Sequence, residues 1–312
     1  MATQETKQLD EIISSRRAMM LMGGTALASI MLSGKAQAAT LTDNDVLNFA
    51  LNLEYLEAQF YNLAAFGVTI DKLTTPIPVA VNGGTAGNVT LKPAFTKVPF
   101  SNPLISAYAA ETAVEEGKHV TFLQGALGSS AVSMPKLDLY NSFNTLANAA
   151  GIGPAFDPFA SDAFFLIGAY IFEDVGVTAY HGAAGAIQSK ATLGAAAGIL
   201  AVEAYHAGLI RTAINALDAG SGTLAGLTQK ISATRSKLAN PSGTPVDDIG
   251  LTTVNVSLNA SSGSFAATTF VDADANSIAF SRTPAQILSI VTGGATNNQG
   301  VFFPAGLNGT IK

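Results

Sequence analysis

An all-α fold built on a four-helix bundle is predicted by three features of this sequence. Four long segments repeat apolar residues at three- and four-residue spacing, the period of a helix with one buried face. Glycine and proline separate those segments. The pattern Glu-x-x-His occurs on the second and fourth, while the first and third each carry a glutamate followed seven residues later by a tyrosine.

The first helix starts at Thr42 or Asp43, either of which can cap it, and runs through Val46, Leu47, Ala50, Leu53, Leu56, Phe60 and Leu63 to a stop at Gly67. Residues 74 to 103, with Pro76, Pro78, Gly83, Gly84, Gly87, Pro93, Pro99 and Pro103, cannot continue it. They form a long insertion, with a short hairpin expected through Asn82-Gly83-Gly84. The second helix follows Pro103 and reaches about Leu127, where Gly128 and Ser129 end it. A connection holding Pro135, Pro154 and Pro158 leads to the third, which runs from about Ser161 towards Ile187. Its stretch from Ala163 to Phe172 is apolar nearly all round, as a buried helix is, and Glu173 and Asp174 cut it short of the roughly 20 residues a membrane span needs. The fourth helix covers about Thr192 to Leu217. The bundle is therefore expected over residues 39–220, and an extension of loops, short strands and a short helix over 221–312, packed on the bundle. Within the extension, Leu224 to Leu238 reads as helix, Thr253 to Leu258 alternates as a strand does, and Thr283-Pro284-Ala285-Gln286 is a capping box opening a helix to about Val291.

Composition narrows the chemistry. With 48% hydrophobic residues in 312, a core is easily filled, and a net charge of -6 with a pI near 5.0 offers no basic footprint for nucleic acid. There is no cysteine, so disulfides, thiolate metal sites and cysteine nucleophiles are excluded, and any metal must sit on Glu, Asp or His. No Gly-x-Ser-x-Gly elbow, Walker loop or dinucleotide glycine pattern occurs.

Residues 1–38 read as an export signal: Ser14-Ser15-Arg16-Arg17, an apolar run from Ala18 to Leu32, and Ala36-Gln37-Ala38 before Ala39. The adjacent arginines resemble those of a twin-arginine signal, which carries folded proteins to a periplasmic or extracellular destination; a general secretory signal or an uncleaved anchor is the alternative. Cleavage would remove Lys7, Arg16, Arg17 and Lys35 with Glu5, Asp10 and Glu11, leaving a charge of -7 and no membrane span.

The residues able to carry chemistry fall in the four helices. Glu116 and His119 form one Glu-x-x-His, Glu203 and His206 the other, so two of the three histidines belong to one motif. Positions three apart on a helix lie about 60° apart around the axis, close enough for a carboxylate and an imidazole to meet one ion. Glu54 precedes Tyr61, and Glu173 precedes Tyr180, by two turns, so the chain reads as one ligand inventory written twice. Glu57 is the alternative to Glu54, which Tyr61 favours, while Glu111 and Glu115 read as surface charges. His181, about 80° around from Glu173, reads as an ordinary histidine. Asp272-Ala273-Asp274-Ala275-Asn276 opens like a calcium loop but lacks the glycine and distant glutamate, and reads as a turn.

Over residues 43–217 this pattern resembles the ferritin-like diiron carboxylate proteins, on Asn52-Leu53-Glu54 with Tyr61 and on Glu115-Glu116 with His119. The tail from Phe302-Phe303-Pro304 to Gly309 resembles the branch that includes desiccation-related proteins. The resemblance implies a ferritin-like bundle with Glu54, Glu116, His119, Glu173, Glu203 and His206 as ligands to two iron ions, or manganese. It implies that Glu116 and Glu203 bridge the ions, and that Tyr61 and Tyr180 hydrogen-bond the carboxylates from behind. Its partners would be the metal ions with oxygen or peroxide, in ferroxidase, peroxide-detoxifying or manganese-catalase-like chemistry under stress. The alternative is a non-enzymatic envelope or desiccation-related protein on the same scaffold. The insertion and the tail are foreign to compact cage-forming ferritins, so a 24-subunit shell is not expected, although a smaller homo-oligomer is compatible.

Overall fold

The computed structural model describes residues 41–242, 247–257 and 264–312; the expected export signal lies outside them. Residues 41–312 form one compact unit. Four long helices make the bundle: α1 (Asp43–Phe66), α2 (Pro103–Leu127), α4 (Asp162–Ala183) and α5 (Lys190–Asp218). A short helix α3 (Asn141–Ala149) sits between the two halves, and α6 (Thr223–Ala239) and α7 (Pro284–Val291) follow the bundle. α1 packs along α2, and α4 along α5, while α6 and α7 lie against α4.

Each long helix starts where its cap is written. The Thr42 side chain accepts from the Asp45 amide and Asp45 accepts from the Thr42 amide, a closed capping box. Asn102, Ser161 and Ser189 cap α2, α4 and α5 by accepting from a first-turn amide, without the reciprocal bond. Gly67 ends α1 in the left-handed region at φ 76°, where its amide reaches back to Asn62 and Leu63 carbonyls.

α1 is buried on every side from Leu51 to Ala64, although it carries Asn52, Gln59 and Asn62 as well as two glutamates. The amides are adaptors for the chain that covers the helix. Asn52 donates to the Asn308 carbonyl and accepts from the Asn308 amide, both at 2.9 Å, pinning the C-terminal tail. Gln59 accepts from the Ile70 amide, and Asn62 donates to the Ala113 carbonyl on α2. Each buried side-chain amide thus satisfies a backbone group that would otherwise lose its water. Beside them Phe60 meets Phe143, Phe159, Phe165 and Phe172 at ring separations of 5.1–5.9 Å, an aromatic core shared by α1, α3 and α4.

Two expectations need correction. Asn82 and Gly83 do turn the chain at φ 54° and 76°, but no hairpin forms there. The insertion pairs instead with the segment after α2: Met134 donates to the Val79 carbonyl, Gly87 to Met134, and strand β1 (Val89–Thr90) runs parallel to β2 (Leu137–Asp138). A two-stranded hairpin alone is marginal, whereas this pairing lies over the bundle core. The second correction is α3, which falls inside the supposed connection. Phe143 and Ala147 are buried four residues apart, and Asp138 accepts from the Tyr140 and Asn141 amides at its start. The helix of nine residues is spaced correctly, but asparagine and serine dilute its pattern.

Strands β3 (Thr253–Ser257) and β4 (Ser264–Thr268) form an antiparallel pair. Among the described residues, two helices are long and apolar enough to cross a membrane by length and composition. The window in α4 is 83% buried inside the protein and the one in α5 only 33%, so α4 is spent on the core while α5 turns much of its apolar surface outward.

Candidate metal centre

The sequence-expected residues converge between the four helices. One group brings Glu54, Glu116, His119 and Glu203 together and a second Glu116, Glu173, Glu203 and His206, with one donor atom from each residue within 4.8 Å of the others in its group. Glu116 and Glu203 belong to both groups, at the join between them. All six side chains are buried, and the two imidazole centroids stand 6.3 Å apart. Glycine at 176 makes the room: a Cβ there would overlap the Glu203 carboxylate.

The tyrosines cross over. Tyr61 on α1 donates to Glu173 on α4, and Tyr180 on α4 donates to Glu54 on α1. Seven residues put each tyrosine on the face of its own glutamate but about 10 Å further along the axis, beyond reach, so it serves the neighbouring helix instead. Glu54 rather than Glu57 belongs to the convergent groups. Glu57 is buried on the adjoining wall with Leu53, Val175 and Phe302, and desolvation together with the fields of Glu203 and Glu116 raises its carboxyl well above the ordinary range.

Protonation among these side chains follows from crowding. Burial pushes Glu54 up to about 7 against the opposing pull of His119, and burial with the charge of Glu116 raises Glu203 well above normal. Burial would also raise Glu116, but the two imidazoles close beside it outweigh that and hold its pKa low. Desolvation opposes charge on His119 and His206, yet Glu54 and Glu173, with Glu116, raise both imidazoles far above their usual value.

Even so, the protein's own hydrogen bonds do not satisfy this centre. Both oxygens of Glu116 and of Glu203, one of Glu173, and His206 Nδ1 are buried without a hydrogen-bond partner. His206 Nδ1 lies 3.0 Å from Glu116 Oε1, so the atoms converge on a common point without the alignment a hydrogen bond requires. Buried, unpaired carboxylate oxygens cost several kcal/mol each in a low-dielectric interior. Four glutamates and two neutral imidazoles would balance two divalent cations, and oxygen with imidazole donors suits iron or manganese. The donor set fits a metal pair.

Sequence reasoning missed Glu115, which is not merely a surface charge. His206 Nε2 donates to Glu115 Oε2 at 2.8 Å, which in a neutral imidazole would leave Nδ1 as the lone-pair nitrogen facing Glu116 and Glu173. The signal was its place beside Glu116, one position round the helix towards α5. Glu111 is exposed, and His181 lies outside the centre with Nδ1 at 3.1 Å from the Phe280 carbonyl. Replacing Glu115 by leucine is expected to weaken metal binding about 10- to 100-fold, with Glu115→Gln between it and wild type. Competition against a chelator would check this, and an unchanged affinity in Glu115→Leu would remove Glu115 from the centre.

A second acidic group joins buried Asp174, next to Glu173 on α4, with buried Asp248 and half-buried Asp272. It has its own cations. Arg211 makes two 3.0 Å hydrogen bonds to Asp174, Arg235 joins Asp174 to Asp248, and Arg282 joins Asp248 to Asp247. Both Arg211 and Arg235 lie over the Tyr170 ring. Asp272 is the odd carboxylate: burial and the charges of Asp174 and Asp248 push it up to about 8. Since its folded pKa is raised, ionising it costs stability progressively as pH rises from the ordinary carboxylate range through about 8. Asp272→Asn keeps the acceptor for the Ile249 amide, so the variant is expected to gain stability over wild type by an amount that widens from pH 5 to pH 8. A gap that stays constant over this range in denaturant titrations would show Asp272 to be ionised throughout.

A helical bundle with two Glu-x-x-His helices facing two glutamate helices is the donor arrangement from which dinuclear carboxylate proteins are built. The family model for the ferritin-like domain matches residues 42–216, and this chain belongs to that family. It is 35% identical over 266 residues to the desiccation-related protein PCC13-62 of Craterostigma plantagineum, covering 81% of this chain and 79% of that one. It is 28% identical over 279 residues to the ferritin-like catalase Nec2 of Nesocodon mauritianus, covering 86% and 84%. No solved structure matches the chain.

Proposed function

We propose that the chain binds two iron or manganese ions between Glu54, Glu116, His119, Glu173, Glu203 and His206, and that the loaded protein disposes of peroxide. The observation that carries this reading is the set of buried, unpartnered oxygens on Glu116, Glu173 and Glu203 with His206 Nδ1 among them. A bound pair of redox-active ions would supply two electrons to one peroxide and recover them from another, so that two hydrogen peroxide molecules become two waters and one dioxygen.

The protein's own part is to hold charge and exclude water. Tyr61 and Tyr180 fix the Glu173 and Glu54 carboxylates by donating to them, so each presents its other oxygen inward. Glu115 fixes the His206 tautomer. Glu57, kept protonated by burial, adds a carboxyl to the wall rather than a fifth negative charge. The likeness to a protein named as a ferritin-like catalase supports peroxide over other oxidants.

The test is metal content by elemental analysis, with oxygen evolution from peroxide measured on the same sample. About two ions per chain with oxygen evolution supports the reading. Two ions with ferrous oxidation and no oxygen evolution would move it to ferroxidase chemistry. No stoichiometric metal would favour the second reading, a protective non-enzymatic protein, which rests on the 35% identity to the desiccation-related protein. The proposal includes twin-arginine export to the periplasm or beyond, on the strength of Arg16-Arg17 and the run that follows. N-terminal sequencing of secreted protein is expected to begin at Ala39, and an intact Met1 in the cytoplasmic fraction alone would contradict it.

A further inference from the structure

The outer face of α5 has no partner among the described residues. Gly194, Gly198, Ala201, Tyr205, Gly208 and Thr212 follow one another at spacings of four and three, a straight seam along the helix. All are exposed except the half-buried Gly208, and Tyr205 stands 77% exposed at the middle. The charged side chains of α5 between Lys190 and its end, Glu203, Arg211 and Asp218, are all buried, so the outward face carries no charge.

The glycines sharpen the point. Glycine in a helix interior is less favourable than alanine, yet a Cβ at 194, 198 or 208 would meet nothing within 4 Å. Packing among the described residues gives no reason for them. Close approach of an outside helix does, because glycine lets backbones come together.

We propose that this face is the contact surface of a homodimer, in which two copies of α5 pack antiparallel about a two-fold axis at the level of Glu203. That axis sets Tyr205 on the partner's Ala201, Gly198 on the partner's Gly208, and Gly194 on the partner's Thr212. The seam is self-complementary, with the one large side chain always facing a small one, as an isologous interface requires. A 29-residue helix is about 43 Å long and presents a strip about 10 Å wide. Two such strips, with exposed Leu104, Leu217 and Val271 beside them, reach the roughly 1,000 Å² at which a specific interface becomes stable. An uncharged centre bearing an aromatic residue is the composition of an interface core.

Light scattering on the purified chain is expected to give twice the single-chain mass. Tyr205→Glu should give the single-chain mass with an unchanged thermal melt, since the side chain is exposed. Gly198→Leu should do the same, since no described residue opposes its side chain. Because the protein has no cysteine, an oxidised mixture of Gly198→Cys and Gly208→Cys chains should cross-link, while either variant alone should not. A wild type of single-chain mass overturns the proposal, and if that monomer also floats with phosphatidylcholine vesicles through α5, a lipid surface is the occupant instead. A dimer that survives both Tyr205→Glu and Gly198→Leu overturns it as well, placing the contact elsewhere.

Discussion

A Glu116→Ala chain is expected to hold neither metal ion, whereas His119→Ala and His206→Ala should each keep about one of two. The asymmetry follows from geometry, because Glu116 belongs to both donor groups and each histidine to one. Glu116 is also the carboxylate that the two imidazoles hold ionised most firmly, so its loss removes the negative charge at the join of the two sites. Elemental analysis of the three variants, prepared alongside wild type, checks the prediction. One ion retained in Glu116→Ala would mean that Glu116 serves a single ion.

Arg235→Ala is expected to cost about 3–5 kcal/mol, among the largest losses available to a single change here. Arg235 is buried, bonds Asp174 on α4 and Asp248 in the extension, and donates to the Tyr170 carbonyl at 2.6 Å. Removing it leaves two buried carboxylates short of a cation. In a chain of this size the melting temperature should fall by roughly 10 °C, and lysine should rescue little because it lacks the planar fork that reaches three acceptors. A loss under about 1 kcal/mol would show that water enters the network and replaces the guanidinium.

The ligand helices were legible because their signals are local. Caps, glycine stops and the Glu-x-x-His spacing all act within a few residues, and they located α1, α2, α4 and α5 to within a few positions at each end. Tyr61 and Tyr180 were recognisable as partners of carboxylates, but which carboxylate depends on how far two helices are staggered, a quantity that no spacing along one helix contains. Glu115 looked like solvent-facing charge because its partner His206 lies on another helix, 91 residues away. The arginine and aspartate network was invisible for the same reason. Its members come from α4, α5, α6 and the segments before β3 and α7, and only packing makes them neighbours.

The paired bonds between Asn52 and Asn308 join positions 256 residues apart, so the cover over α1 arrives late in synthesis. All six proposed ligands precede Asp218, and at about 5–20 residues per second the ribosome needs roughly 5–20 s more to make the tail. During that interval the bundle can form with one side of its first helix bare.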